Sequence, residues 1–343
     1  MPSHTGLDIS DESIKYAELA KTRRGIKLRR HGEKDIPLGV IMSGKIIAPE
    51  KLTEILSELR KGKNIKHVRV SLPEEQVYLF KLRLPKAGLE NIREGIELVL
   101  EEHVPIPATE AVFDYEILSQ DKQELDIGVA VIEKSVIENY LLVFREAQVK
   151  VGAFELEGNA IKRAVIKSGD TNAYMIVDFG KERTGIFIIS RGAVAFTSTL
   201  DIGGATLTGM IEKNFNISRE EAERMKVEYG LRRNTGDREI FSVLLNGVSV
   251  LRDEISKHYI YWHTHKDETG AERPKVEKLI LTGGDSNLTG LAEYLSVSLK
   301  IKAELANVWV NIVDPEKYIP EINAKKSLSF TTAIGLALGD YLK

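Results

Sequence analysis

The 343-residue sequence predicts an α/β protein of two lobes, each built on the same β-β-β-α-β unit and each carrying an insertion. Three observations carry this prediction. Tyr174–Val177 is an apolar run that ends on Asp178, turns through the polar stretch Gly180–Arg183 and returns as Gly185–Ile189, the pattern of a hairpin. Thr5–Leu19 repeats that pattern, with Asp8 at the matching point. The elements after each copy also repeat: a third strand (Gly25–Ile36; Ala193–Leu200), a helix (Pro49–Arg60; Gly204–Asn214) and, after an insertion in the second copy, a strand (His67–Ser71; Lys278–Leu281). Two such lobes would face one another across a cleft, each presenting an acid-tipped hairpin.

Composition sets the frame. Apolar residues make up 43% and charged residues 29%, with a net charge of −3. That is enough for a core and marks no polyanion binder, so no nucleic-acid partner is expected; the basic runs Lys21–Arg24 and Arg60–Lys66 read as solvated faces. The chain has no cysteine, which excludes disulfides and thiolate chemistry. No basic-then-apolar leader opens it, and no apolar run reaches the ~18–20 residues of a membrane span. The most apolar stretch, Leu328–Leu342, is broken by Thr331, Thr332, Gly335, Gly339 and Asp340 and reads as a buried helix.

In lobe one the helix from Pro49 carries Leu52, Ile55, Leu56 and Leu59 on one face, with Pro49 in its first turn and Gly62 at its end. Val77–Leu84 reads as a strand closed by Pro85. Gly88–His103 is an amphipathic helix (Leu89, Ile92, Ile96, Val99, Leu100) ended by Pro105 and Pro107. Val112–Leu118 and Ile127–Ile132 form a hairpin around Ser119–Asp126, and Ser135–Ala147 is a further helix. This block has no counterpart at the matching point of lobe two, so it is an inserted subdomain. In lobe two, Ser218 and Glu221 form a capping box and Gly230 a stop; a long helix spans about Ile240–Tyr261. His258, His263 and His265 have no carboxylate or thiol in sequence to complete a ligand set, and a solvated loop explains them as well.

A carboxylate beside a turn rich in backbone N–H groups can hold a phosphate and its metal ion: the N–H groups make a concave anion site and the acid takes Mg²⁺ or its waters. Gly283-Gly284-Asp285-Ser286 joins a strand to a helix carrying Leu288, Leu291, Leu295 and Leu299, where glycines let a base or phosphate approach the backbone. The set resembles the actin/Hsp70/sugar-kinase ATPase fold, with two phosphate loops and an adenosine loop. More closely, the chain resembles the PilM family of type IV pilus assembly, with FtsA division proteins as more distant relatives. The residues that carry this are Ser13-Ile-Lys15; Pro105-Ile-Pro107 leading to Phe113-Asp-Tyr-Glu-Ile-Leu118; Leu200-Asp-Ile-Gly-Gly204; Ala222-Glu-Arg-Met-Lys226 before Tyr229-Gly230; and Ala333-Ile-Gly-Leu-Ala-Leu338.

The resemblance implies a two-lobed actin-like ATPase of duplicated RNase H-like units. Residues 1–77 and 150–170 would form lobe one and 78–149 its inserted subdomain. Residues 171–214 and 277–343 would form lobe two, with a helical insertion at 215–276. It implies Mg²⁺·ATP held by Asp8, Ser10, Asp11, Glu12, Ser13 and Lys15 of the first hairpin and by Asp178, Gly180, Lys181 and Thr184 of the second. Gly203, Gly204, Glu223 and Lys226, together with Gly283, Gly284, Asp285 and Ser286, would serve the rest of the nucleotide. Asp8 and Asp178 would position the metal. Ser10 stands where the family usually carries glycine. Within Glu155–Asn159, at the crossing between lobes, Glu157 is favoured to orient an attacking water; a solvent-facing helix acid is the alternative.

Function follows by the same resemblance: a cytoplasmic scaffold at the inner face of the membrane, a slow ATPase at most, its nucleotide a conformational switch. Its partner would be the N-terminal peptide of a PilN-like membrane protein, seated between lobe one and the insertion near Val77, Leu79, Leu82 and Leu84, alongside other pilus assembly proteins. Membrane contact is expected only through that partner, and homo-oligomerisation is left open. The alternatives are an FtsA-like filament protein, which would carry an amphipathic tail where this chain stops at Lys343, and a kinase of the same superfamily.

Overall fold

Duplication governs the topology. The computed structural model describes residues 4–23, 25–86, 91–120, 123–232, 238–267, 270–312 and 318–342. The chain divides into unit one (Met1–Arg163, Ile312–Tyr318, Thr332–Lys343) and unit two (Ala164–Asn311, Ile319–Thr331).

Unit one contains β1 (Thr5–Ile9), β2 (Ser13–Thr22), β3 (Gly25–Asp35), the two-residue pair β4 (Ile41–Met42) and β5 (Lys45–Ile46), α1 (Pro49–Lys63) and β6 (His67–Leu72). It continues with β7 (Val77–Pro85), α2 (Ile92–His103), β8 (Ala111–Gln120), β9 (Glu124–Glu133), α3 (Lys134–Glu146), β10 (Lys150–Leu156) and α4 (Glu157–Val165), which runs into unit two. Its main sheet has the order β10-β6-β1-β2-β3; β1, β6 and β10 are parallel, β2 pairs antiparallel with β1, and β3 pairs antiparallel with β2. The predicted face of α1 (Leu52, Ile55, Leu56, Leu59) packs on Leu7, Ile9, Val68 and Val70. Each fully buried side chain of this size contributes about 1.5–3 kcal/mol. α1 runs past Gly62 to Lys63 and ends at Asn64, whose φ of 52° places it in the left-handed region that asparagine tolerates.

The inserted strands form a separate three-stranded sheet, β7-β9-β8. Its period-two alternation puts Leu84, Leu125, Ile127, Val129, Val131 and Phe113 on the face covered by Ile96 and Leu100 of α2. α2 starts after Asn91, whose side chain accepts from the Arg93 N–H at 3.0 Å; Gly88 and Leu89 of the predicted first turn lie outside the described residues. α3 sends Val136, Tyr140, Val143 and Phe144 into the core of the main sheet, not into that of the inserted sheet.

Unit two repeats the plan with β11 (Ala173–Phe179), β12 (Thr184–Ser190), β13 (Ala193–Leu200), α5 (Gly204–Phe215), α6 (Arg219–Tyr229), α7 (Arg238–Thr264), β14 (Val276–Thr282), α8 (Leu291–Leu299) and β15 (Ala303–Leu305). Sheet order is β13-β12-β11-β14-β15, the same order as in unit one, with β11, β14 and β15 parallel. Ser218 caps α6 by accepting from the Glu221 N–H at 3.2 Å. His263 is absorbed structurally: Nε2 accepts from the Val276 N–H at 3.2 Å. Among the described residues no cluster of histidines and acids is placed to hold a metal ion.

After a short helix, α9 (Ala324–Ser327), the apolar C-terminal stretch is largely buried as far as Leu338: a 3-10 turn over Leu328–Phe330 leads into α10 (Thr331–Leu338), which ends short of the predicted Leu342. No helix among the described residues is long and apolar enough to cross a membrane.

Candidate functional site

The two acid-tipped hairpins have the same local geometry at a constant offset of 170 residues. In the first, Asp8 pairs across strands with Lys15, and the Ser10 N–H donates to the Ser13 carbonyl at 2.9 Å. In the second, Asp178 pairs with Gly185, and the Gly180 N–H donates to the Arg183 carbonyl, also at 2.9 Å. Neither Ser10 nor Gly180 has a positive φ. The turn itself therefore does not need glycine at position 10.

Around Asp8, unit one builds a polar row that the sequence alone did not reveal. Ser71 on β6 donates its hydroxyl to Asp8 Oδ1 at 3.0 Å and accepts the Ile9 N–H at 3.2 Å. Register places Lys15 between Asp8 and Glu33 on the neighbouring strands, with Lys15 Nζ 3.6 Å from Glu33 Oε1. Burial raises the Asp8 pKa; the charge of Lys15 and the Ser71 hydrogen bond act against that, while the charge of Glu33 adds to it. Asp11 turns away from this row: its two oxygens accept the Ser43 and Gly44 N–H groups at 2.9 and 3.0 Å. Glu12 gives its carbonyl to the Ile36 N–H at 2.7 Å. The Ser13 hydroxyl lies 3.4 Å from that of Ser10.

Glu157 opens α4 directly after β10. β10 lies two strands from β1, roughly 10 Å away at the usual strand spacing, and both strands end at the carboxyl edge of the parallel set. Buried Glu74 accepts the Gly158 N–H at 2.8 Å and so fixes the start of this helix.

In unit two the predicted residues converge. The Gly180 and Lys181 carbonyls accept the Gly204 and Ala205 N–H groups at 3.0 and 2.8 Å, stitching the second hairpin to the start of α5. Gly203 is required there, because a Cβ would fall 2.2 Å from the Lys181 carbonyl oxygen. Gly283, at φ 88°, lies against the other side of the hairpin; its Cβ would meet Asp178 Oδ1 at 2.5 Å. Gly284 is exposed, with ordinary contact to Ser329 alone. Thr184 is buried with its hydroxyl 2.5 Å from the Ile202 carbonyl, and buried Ser286 bonds the Thr282 carbonyl, so both brace the loops.

Beneath these loops sits a buried cation. Lys226, 3% exposed, donates to Asp285 Oδ1 at 2.7 Å and to the Gly204 carbonyl at 3.1 Å, and lies 3.0 Å from Glu223 Oε2. Burial raises the Asp285 pKa against the pull of Lys226. Burial acts on Glu223 in the same sense, but hydrogen bonds from Thr208 and Lys226, with the charges of Lys226 and Lys181, together outweigh it and hold its carboxyl below the usual range. Thr208, one turn into α5, is a member of this cluster without any signal in the sequence.

In each unit the hairpin acid, Asp8 in one and Asp178 in the other, offers hard carboxylate oxygens with no cage of further acids and histidines around it among the described residues. Such donors suit Mg²⁺, which keeps most of its waters.

Two five-stranded sheets of one topology, each with an acid-tipped first hairpin, define an actin-like ATPase fold. The solved structures agree. Over 91% of this chain and 93% of that one, the chain superposes on MreB5 of Spiroplasma citri bound to ADP, with a TM-score of 0.55 and 15% identity. Over 98% of both chains it superposes on a structure of the PilM-PilN type IV pilus biogenesis complex, with a TM-score of 0.82 and 23% identity. Cell division protein FtsA of Staphylococcus epidermidis is 20% identical over 87% of this chain and 73% of that protein. Residues 6–341 match the family described as Type IV pilus assembly protein PilM, and the chain belongs to that family.

Proposed function

We propose that this protein is an ATP-binding scaffold of type IV pilus assembly that captures the N-terminal peptide of a PilN-like membrane protein, with nucleotide as its switch. The observation that carries the reading is the likeness to the PilM-PilN complex along the whole chain. Nucleotide binding is supported by the repeated hairpins and by the ADP-bound relative. Asp8 and Asp178 would hold the water shell of Mg²⁺, Lys15 would meet phosphate, and the glycines at 203, 204, 283 and 284 would admit the remainder of the nucleotide. Cytoplasmic placement, with membrane contact through the partner, follows from the same family reading.

Calorimetry tests this directly. Asp8→Ala and Asp178→Ala should each weaken Mg²⁺-dependent ATP binding by about 2–3 kcal/mol, roughly 30- to 150-fold. Unchanged affinity in both folded variants would remove the nucleotide site.

Hydrolysis is proposed to be slow, with Glu157 orienting the water. Glu157→Gln should lower phosphate release while ATP affinity stays level. A fast ATPase indifferent to that change would contradict both parts.

The peptide site is proposed on the face of the inserted sheet opposite α2. Leu82 and Leu84 point into the α2 side, and Val77 packs on the main core. Leu79 alternates to the opposite face and remains as the apolar anchor. β7 pairs only with β9 among the described strands, so its outer edge offers backbone groups to an extended chain.

A further inference from the structure

We propose that Asp11 is a positioning residue, tying the tip of the first hairpin to the root of the inserted sheet so that a ligand drawn to the hairpin is felt at that root. The proposal rests on the nucleotide reading above. Ser43 and Gly44 are consecutive left-handed residues, with φ of 50° and 72°. Such a pair aims both N–H groups to one side and makes a small anion nest. Here the nest is filled by the Asp11 carboxylate, at 2.9 and 3.0 Å. Its negative charge is thereby spent on the protein and not left facing an incoming phosphate.

The same two-residue turn is gripped from its other side. The Ser43 carbonyl accepts from Gln76 Nε2 at 2.8 Å, and Gln76 is the residue immediately before β7. The Gly44 carbonyl accepts from the Tyr140 hydroxyl at 3.0 Å, and Tyr140 sits on α3, which follows β9 without a break. Tyr140 is 1% exposed. Burial, then the charges of Glu75, Asp11 and Glu157, push its hydroxyl pKa upward, so it remains a donor. Gly44 has no room to adjust: a Cβ would lie 2.3 Å from Pro73 Cβ. The turn therefore joins the hairpin to both chain crossings of the inserted sheet. The links to the hairpin are charge-assisted hydrogen bonds, the stronger kind. Packed surroundings pass on a shift and do not absorb it.

Hydrogen exchange with and without Mg²⁺·AMPPNP reads this tether. In the wild type, ligand should slow exchange at residues 9–14 and also at 41–47 and 134–141. Tyr140→Phe removes one hydroxyl and should keep the slowing at 9–14 while losing it at 134–141. Asp11→Asn should lose it at both distant segments. A merely structural role would raise basal exchange at 134–141 but leave the ligand-induced difference in place. Wild-type slowing retained at 134–141 in Tyr140→Phe, or slowing confined to 9–14 in the wild type, overturns the tether alone. No slowing at 9–14 in the wild type overturns the nucleotide reading, and the tether with it.

Discussion

Replacing Lys226 with methionine should destabilise unit two by roughly 3–5 kcal/mol, because it leaves a buried carboxylate without its counter-charge. Methionine matches the length of the stem, so the loss is one of charge more than of packing. Asp285 is held 2.7 Å from the Lys226 ammonium, and Glu223 lies on its other side. Without the lysine, burial and the charge of Glu223 act on Asp285 against only the weaker pull of Lys181. Its folded pKa is already above the ordinary 3.8 and should climb further. A raised carboxyl pKa favours the folded state below the unfolded value, and that advantage is lost as pH rises through the folded one. The variant should therefore regain stability on mild acidification. Lys226→Met with Asp285→Asn should recover much of the loss at neutral pH. Denaturant titration of the three proteins checks this; a single variant as stable as wild type at pH 7 would mean the pair is solvated.

Gly335→Val should be comparably damaging to unit one. A Cβ at Gly335 would sit 1.8 Å from the Ala160 carbonyl oxygen and 2.4 Å from its carbon, so backbone, not a flexible side chain, would have to move. On the same helix, the backbone of Ala333 presses on Gly6 of β1, where a Cβ would fall 1.9 Å from the Ala333 oxygen. α10 is thus wedged against both β1 and α4 through glycine. Overpacking of this kind costs about 3 kcal/mol or more when neither wall can yield. The control is Gly62→Ala in α1, where nothing lies within 4 Å of the added carbon; it should gain about 1 kcal/mol from helix propensity. Thermal melts of the two variants should move in opposite directions.

These features differ in how far they could be read from the chain itself. The hairpins, α1, α5 and α6 are legible because their signals are local: apolar period, a cap at Ser218, an acid before a polar turn. β10 is hidden because Lys150–Leu156 is only partly buried and contains Gly152. β15 has three residues, and β4 and β5 have two each, too few to show a period. Ser71, Glu33 and Thr208 join the acids only through strand pairing or helix packing. Ser71, for example, is 63 residues from Asp8. Asp11 shows the converse: its place in the hairpin suggests a ligand contact, while its carboxylate bonds a turn 32 and 33 residues away.

The most direct test of the scaffold reading is titration of a labelled synthetic peptide from the N-terminus of the PilN-like partner. Deleting the whole insertion through residue 150 would also remove α3, whose Tyr140, Val143 and Phe144 belong to the main core, so a point change is the sounder probe. Wild type should bind the peptide saturably, and Leu79→Glu should weaken it roughly 10- to 150-fold, since an apolar anchor is worth ~1.5–3 kcal/mol. A peptide that fails to bind the wild type, or that binds folded Leu79→Glu equally well, would contradict the account.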